Sequence, residues 1–143
     1  MANSEINFFK NGYNGSIKVA KNQKVIQIHR IKNGINFEAN YKALATLTEH
    51  GYILYMYLLM HSNNRVWALS SKDVTERTPL TMNPYNAAVH DLIDKGYLVA
   101  GNIDEKELHF DVNAYHFLED PEKIKMKTDE NGKVTIEVLD DNA

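Results

Sequence analysis

Apolar and polar positions alternate in two registers along this chain, and the switches between them divide it into elements. Ser16-Ile17-Lys18-Val19-Ala20 and Val25-Ile26-Gln27-Ile28-His29 alternate with period two, which predicts two strands joined as a hairpin through Lys21-Asn22-Gln23-Lys24. Asn33-Gly34 marks a turn. Phe37, Tyr41, Leu44 and Leu47 then recur at spacings of four, three and three, predicting a helix from about Glu38 to Thr46 with that stripe as its apolar side. Thr48 is placed to cap a second helix, in which Tyr52 to Met60 is apolar nearly all round. Such a helix needs cover on a second face, from the N-terminal hairpin or from another subunit.

The stretch from Trp67 to Val99 carries the most information. Trp67-Ala68-Leu69 reads as a short strand, and Ser70 with Asp73 three residues later resembles a capping box opening a helix over Ser71–Glu76. Arg77-Thr78-Pro79-Leu80 is a turn, because Pro79 lacks an N–H and biases Thr78 away from helical angles. A second helix starts at Thr81 as N-cap, with Pro84 tolerated in its first turn. Tyr85, Ala88, Val89 and Leu92 share one face, whereas Met82, Asn83, Asn86, Ala87 and His90 share the opposite one. Lys95 and Gly96 close the helix before a strand at Tyr97-Leu98-Val99.

Beyond it, Tyr97–Ala100 and Glu107–Val112 are expected to pair across Gly101–Lys106 as a wing. Ile124–Lys127 and Lys133–Val138 alternate around Asp129-Glu130-Asn131-Gly132, a second hairpin signal. The chain divides into an N-terminal arm over residues 1–15, a principal domain over 16–118 and an acidic C-terminal hairpin or tail over 119–143. The fold class expected is α+β: a winged helix-turn-helix with an added N-terminal β-hairpin and a C-terminal β-hairpin.

The segment LTMNPYNAAVHDLIDKGYLV resembles the second helix and following strand of bacterial winged-helix regulators. By order of features, Val25 to Val112 resembles the N-terminal domains of phage and plasmid replication initiators, or replisome organizers. The resemblance implies binding to double-stranded DNA, for transcription regulation or for replication. The outward set Thr81, Met82, Asn83, Asn86, Ala87 and His90 would lie in the major groove, joined by Ser71, Lys72 and Arg77 from the helix before it. This chain departs from the pattern in having no Arg or Lys in that helix before Lys95. Asn83 and Asn86 suit adenine, to which asparagine can donate and accept at once.

Charge sharpens this picture more than composition does. The net charge is −3 in 143 residues, yet residues 1–35 hold six cations against Glu5 alone, a balance of +5, and residues 101–143 hold five lysines against twelve acids, a balance of −7. Lys18, Lys21, Lys24, Arg30 and Lys32 are therefore the candidates for phosphate contacts. Asp104, Glu105 and Glu107 make the wing acidic, which favours an alternative: a winged-helix module that binds another protein, through the acidic wing and the C-terminal hairpin, as inhibitor or accessory factor. A content of 43% hydrophobic and 24% charged residues is an ordinary globular mix, without a membrane-length apolar run or a secretory pattern, and it leads us to expect a cytoplasmic protein; the DNA-binding reading adds the expectation of a homodimer. The absence of cysteine removes disulfides and thiolate chemistry. No glycine-rich phosphate loop, HExxH or GxSxG motif is present, so neither enzyme activity nor a cofactor is expected. His109, His116 and Asp111 read as ordinary residues rather than metal ligands. Tyr52, Tyr55 and Tyr57 read as core, and Trp67 as an anchor of the sheet on a helix.

Overall fold

A computed structural model describes residues 23–105, 108–110 and 113–139. The architecture is mixed α+β. In chain order the elements are β1 (Lys24–His29), α1 (Phe37–Thr46), α2 (Glu49–Leu59), β2 (Val66–Leu69), α3 (Ser71–Arg77), α4 (Met82–Asp94), β3 (Leu98–Ala100), β4 (Ile103–Glu105), β5 (Leu108–Phe110), β6 (Ala114–Leu118), β7 (Ile124–Thr128) and β8 (Val134–Val138). Among the described residues, no helix is long and apolar enough to cross a membrane.

The principal sheet has the order β2-β1-β6-β3, with β4-β5 and β7-β8 as separate two-stranded ribbons. β1 pairs antiparallel with β2 (Ile26 opposite Trp67) and parallel with β6 (Ile28 opposite Phe117). Both edges of β1 are thus occupied. The neighbours of β1 are β2 and β6, and the expected hairpin partner Ser16–Ala20 lies outside the described residues. The wing is corrected. Leu98–Ala100 pairs not with residues 107–112 but with β6, and the β4-β5 ribbon is inserted between these partners. The C-terminal hairpin forms as predicted, with Gly132 in the left-handed conformation its turn requires (φ 82°).

Ile26, Ile28, Leu69, Leu98 and Phe117 face the helices and share one core with Leu54, Tyr55, Leu58, Tyr85, Ala88 and Leu92. Tyr55 is fully buried at its centre, edge-on to both Tyr97 and Phe117, and its hydroxyl donates to the Glu119 carbonyl at 2.9 Å. Val25, Val66 and Ala114 point to the other face, where Ile103 of β4 covers them. The C-terminal hairpin closes that face beside Gly101: a Cβ there would fall 2.7 Å from Met126 Cε and 3.2 Å from the His116 ring. Trp67 anchors the sheet to α2 by stacking on His61 with ring centroids 4.0 Å apart.

One helix turns the opposite way from its pattern. Asn36 caps α1, its Oδ1 accepting from the Ala39 N–H, and the buried residues are Ala39 and Ala43. Phe37, Tyr41 and Leu44, expected inside, are exposed; of that stripe only Leu47 is buried. The small alanine side lets α1 lie close to the protein, held by Lys42, whose ammonium contacts Asp120 at 3.1 Å and Glu122 at 3.0 Å. The second face expected to be covered on α2 is also open among the described residues: Tyr52, Ile53 and Met56 are half-buried, and Met60 is exposed.

Glu119, just past β6, is fully buried. Its Oε1 accepts from the Ile31 N–H at 2.8 Å, whereas Oε2 has no partner among the described residues. Burial pushes its carboxyl above the ordinary glutamate range. Glu119→Gln keeps the acceptor and removes the cost of burying a charge, so it is expected to match or exceed the parent in stability at neutral pH, by up to about 1 kcal/mol. Urea denaturation at pH 7 checks this, with Glu119→Ala expected to be less stable than either.

Candidate nucleic-acid interface

The helix pair begins as its residues dictate. Ser70 caps α3, with Oγ accepting from the Asp73 N–H at 3.1 Å. The returning half of the capping box does not form. The Asp73 carboxylate instead accepts from the Tyr57 hydroxyl and from Arg77 Nε (2.9 Å), two donors that hold its pKa below the usual aspartate value, Tyr57 contributing most. α3 is thereby tied to α2. Thr78 leaves the helix in extended conformation ahead of Pro79, and Leu80 is buried under the turn.

α4 starts after Thr81, which occupies the N-cap position without a side-chain capping bond. Tyr85, Ala88, Val89 and Leu92 are buried, as their spacing predicts. Gly96 takes the left-handed conformation (φ 84°), and the Tyr97 N–H donates to the Leu92 carbonyl at 2.8 Å, the six-to-one bond of a glycine-terminated helix. On the opposite face Met82, Asn83, Asn86, Ala87 and His90 are all exposed. The side chains of Asn83, Asn86 and His90 make no hydrogen bond or ion pair among the described residues. From Met82 to His90 the exposed face runs about 12 Å along the helix.

A contact invisible in the sequence pattern fixes α4 against α2. Asp91 Oδ2 accepts from the backbone N–H of Thr48 at 2.7 Å and from its hydroxyl at 3.0 Å, while Oδ1 accepts from Lys95 Nζ at 2.6 Å. Burial pushes this carboxyl upward, but Lys95 and the Thr48 donors outweigh it and keep the acid strong. Gly51 makes room for the arrangement, since a Cβ there would stand 2.2 Å from Asp91 Oδ2. The available signal was Gly51 itself, a helix-interior glycine in an otherwise apolar run, which usually marks close approach.

Among the described residues, the proposed phosphate-binding cations are not brought together. Lys24 opens β1 opposite Leu69, two residues before α3, with its ammonium 5.4 Å from the centre of the Tyr115 ring. Arg30 and Lys32 follow the other end of β1, about 20 Å along a strand of this length. The Arg30 guanidinium is used internally, donating to the carbonyls of Leu59 (3.1 Å) and Gly34 (2.9 Å). Lys32 is exposed. Near α4, Ser71 is half-buried in the first turn of α3, Lys72 is exposed, and Arg77 is exposed but paired with Asp73. Lys18 and Lys21 lie outside the described residues.

Of the histidines considered as ligands, His116 is buried against His29. His29 Nε2 lies 2.7 Å from His116 Nδ1, and His116 Nε2 lies 2.9 Å from the Asn102 carbonyl. With His116 donating to that carbonyl, its Nδ1 is the acceptor for the His29 N–H. Asn102 in turn donates to the Gly132 carbonyl at 3.0 Å, so the chain of bonds runs from the sheet to the C-terminal hairpin. The described residues contain no group of three metal-ligating side chains. Comparison with known protein families, with characterised proteins and with solved structures finds no match to this chain.

Proposed function

We propose that this protein is a winged helix-turn-helix binder of double-stranded DNA, of the phage or plasmid regulator or replication-initiator type, with α4 as the helix that enters the major groove. The observation that carries the reading is the division of α4 into a buried apolar side and an outward side whose Asn83, Asn86 and His90 have no hydrogen-bond partner among the described residues. Polar side chains held on a rigid helix and left unengaged are suited to base edges, and two asparagines favour adenine. In this reading α2, β2, α3, α4, β3 and β6 form the winged-helix unit, β1 is an added central strand, and the β4-β5 ribbon stands as the wing. Asp104 is exposed on that ribbon and would repel phosphate, so the electrostatic contribution falls to Lys72 and Lys24 at the α3 end.

The test is a mobility shift on duplex from the region upstream of the protein's own gene, and on random duplex at low salt. Replacing Asn83 and Asn86 together by alanine is expected to weaken specific binding roughly 30-fold or more, because each adenine contact contributes about 1–3 kcal/mol. Lys72→Ala is expected to lower affinity for all sequences and reduce the salt dependence by about one counterion. Unchanged binding by the double variant overturns the assignment of α4. Failure of the parent protein to bind either duplex at low salt turns the reading toward a winged-helix module for a protein partner.

A further inference from the structure

An extended apolar patch of the described residues lies away from the outward face of α4. Ile35 is 69% exposed, Phe37 65%, Tyr41 68%, Leu44 57% and Met60 80%. Taking about 200 Å² for each fully exposed residue of this size, these five leave roughly 700 Å² in contact with water. That exceeds the largest patch of an ordinary monomer, about 300–600 Å², and approaches the roughly 800 Å² that each partner contributes to a stable interface.

The relief of this surface has two parts. Phe37, Tyr41 and Leu44 stand along α1 as a ridge at helical spacing. Beside them runs a groove of about 390 Å³ between α1 and α2, floored by Met56 and Leu59 and flanked by Met60. Ridge and groove side by side form a self-complementary surface, because a two-fold rotation lays each ridge in the other's groove. At its margins Lys42 is paired with Asp120 and Glu122, and the Arg30 guanidinium donates to two backbone carbonyls. The face itself is therefore chiefly apolar, and what complements it is another apolar surface of the same relief.

We infer that this face, ridge α1 and groove α1–α2, is the contact by which two copies of the chain associate about a two-fold axis. The arrangement leaves α4 free to act. α1 meets α4 through its last turn, where Lys95 Nζ donates to the Thr46 carbonyl, and the outward residues from Met82 to His90 lie toward the other end of α4. The inference goes beyond the DNA-binding reading and does not require it.

Sedimentation velocity on the full chain in the absence of DNA tests it. A concentration-dependent dimer is expected, and Leu44→Glu is expected to raise its dissociation constant at least ~30-fold while leaving the thermal midpoint of the monomer nearly in place, since Leu44 is 57% exposed and lies outside the buried core. Because the chain has no cysteine, single-cysteine variants Phe37→Cys, Tyr41→Cys and Leu44→Cys report the interface directly by disulfide formation under mild oxidation. At least one is expected to cross-link far faster than Thr135→Cys on the C-terminal hairpin. A chain that sediments as a monomer up to millimolar concentration overturns the inference. A dimer that persists unweakened in Leu44→Glu, with no preferential cross-linking on α1, overturns it equally.

Discussion

Asp91→Ala is expected to lower the unfolding free energy by about 2–4 kcal/mol, because one substitution removes the acceptor of three donors. The Thr48 N–H and hydroxyl sit at the start of α2, where a carboxylate also meets the positive end of the helix dipole, and Lys95 closes the other oxygen. Gly51→Ala attacks the same contact from the opposite side. Its methyl would fall 2.2 Å from Asp91 Oδ2, so the carboxylate must withdraw or the helices must separate. A loss of similar size is expected, despite alanine being the better helix former. The decisive measurement is the double variant. If the steric account is right, removing the carboxylate makes room for the methyl, and Gly51→Ala should cost little in the Asp91→Ala background. Additive losses in urea denaturation would show that Gly51 acts through something other than Asp91. The same variants bear on function, because this contact helps fix α4 relative to α2, and DNA affinity is expected to fall with it at temperatures where the protein remains folded.

The second large effect is on pH. Burial, and then the neighbouring His116, hold the His29 pKa down to about 4, and burial likewise lowers that of His116 despite the carbonyl it meets. Both rings are therefore neutral in the folded protein at pH values where the unfolded chain, with an ordinary histidine pKa near 6.5, already takes up protons. Stability that is complete above about pH 6.5 is lost as pH falls toward 4. Between pH 7 and pH 5 the loss from His29 alone is expected to be about 2 kcal/mol. Glu119 works in the opposite direction, since its raised pKa makes acid stabilising above the ordinary glutamate range. The check is therefore a difference: urea denaturation of the parent and of His29→Gln across pH 5 to 7. The variant keeps a donor for His116 but lacks one titrating ring, and its stability should fall less steeply. Equal slopes would mean that His29 does not carry the effect.

The elements that proved legible were those written by local chemistry. Ser70, Pro79, Thr81 and Gly96 act within a few residues of themselves, and α3, its turn and α4 lie where those residues put them. Partners across the sheet were not legible. Alternation over Val25–His29 identifies a strand without naming its neighbours. The actual neighbours are residues 66–69 and 114–118. α1 misleads for a different reason, because the larger apolar residues lie on the exposed side while Ala39 and Ala43 permit close packing. For the candidate interface, the outward position of Asn83, Asn86 and His90 followed from helical period. The internal use of Arg30 did not, since the carbonyls that engage its guanidinium belong to Gly34 and Leu59, the latter distant in sequence.

The parallel pairing of β1 with β6 also has a consequence for how the chain reaches its folded form. His29 and His116 are 87 residues apart, yet they hydrogen-bond in adjacent strands at the centre of the sheet. During synthesis, β1 leaves the ribosome early and can gain β2 as a neighbour, but its other edge stays open until translation has passed Leu118. An unpaired apolar strand edge is a site for mispairing with other nascent chains, and such long-range closure is slow. Folding yield should accordingly depend on how quickly the ribosome covers the stretch between α1 and β6, with slow translation there prolonging the exposure of Val25 to His29.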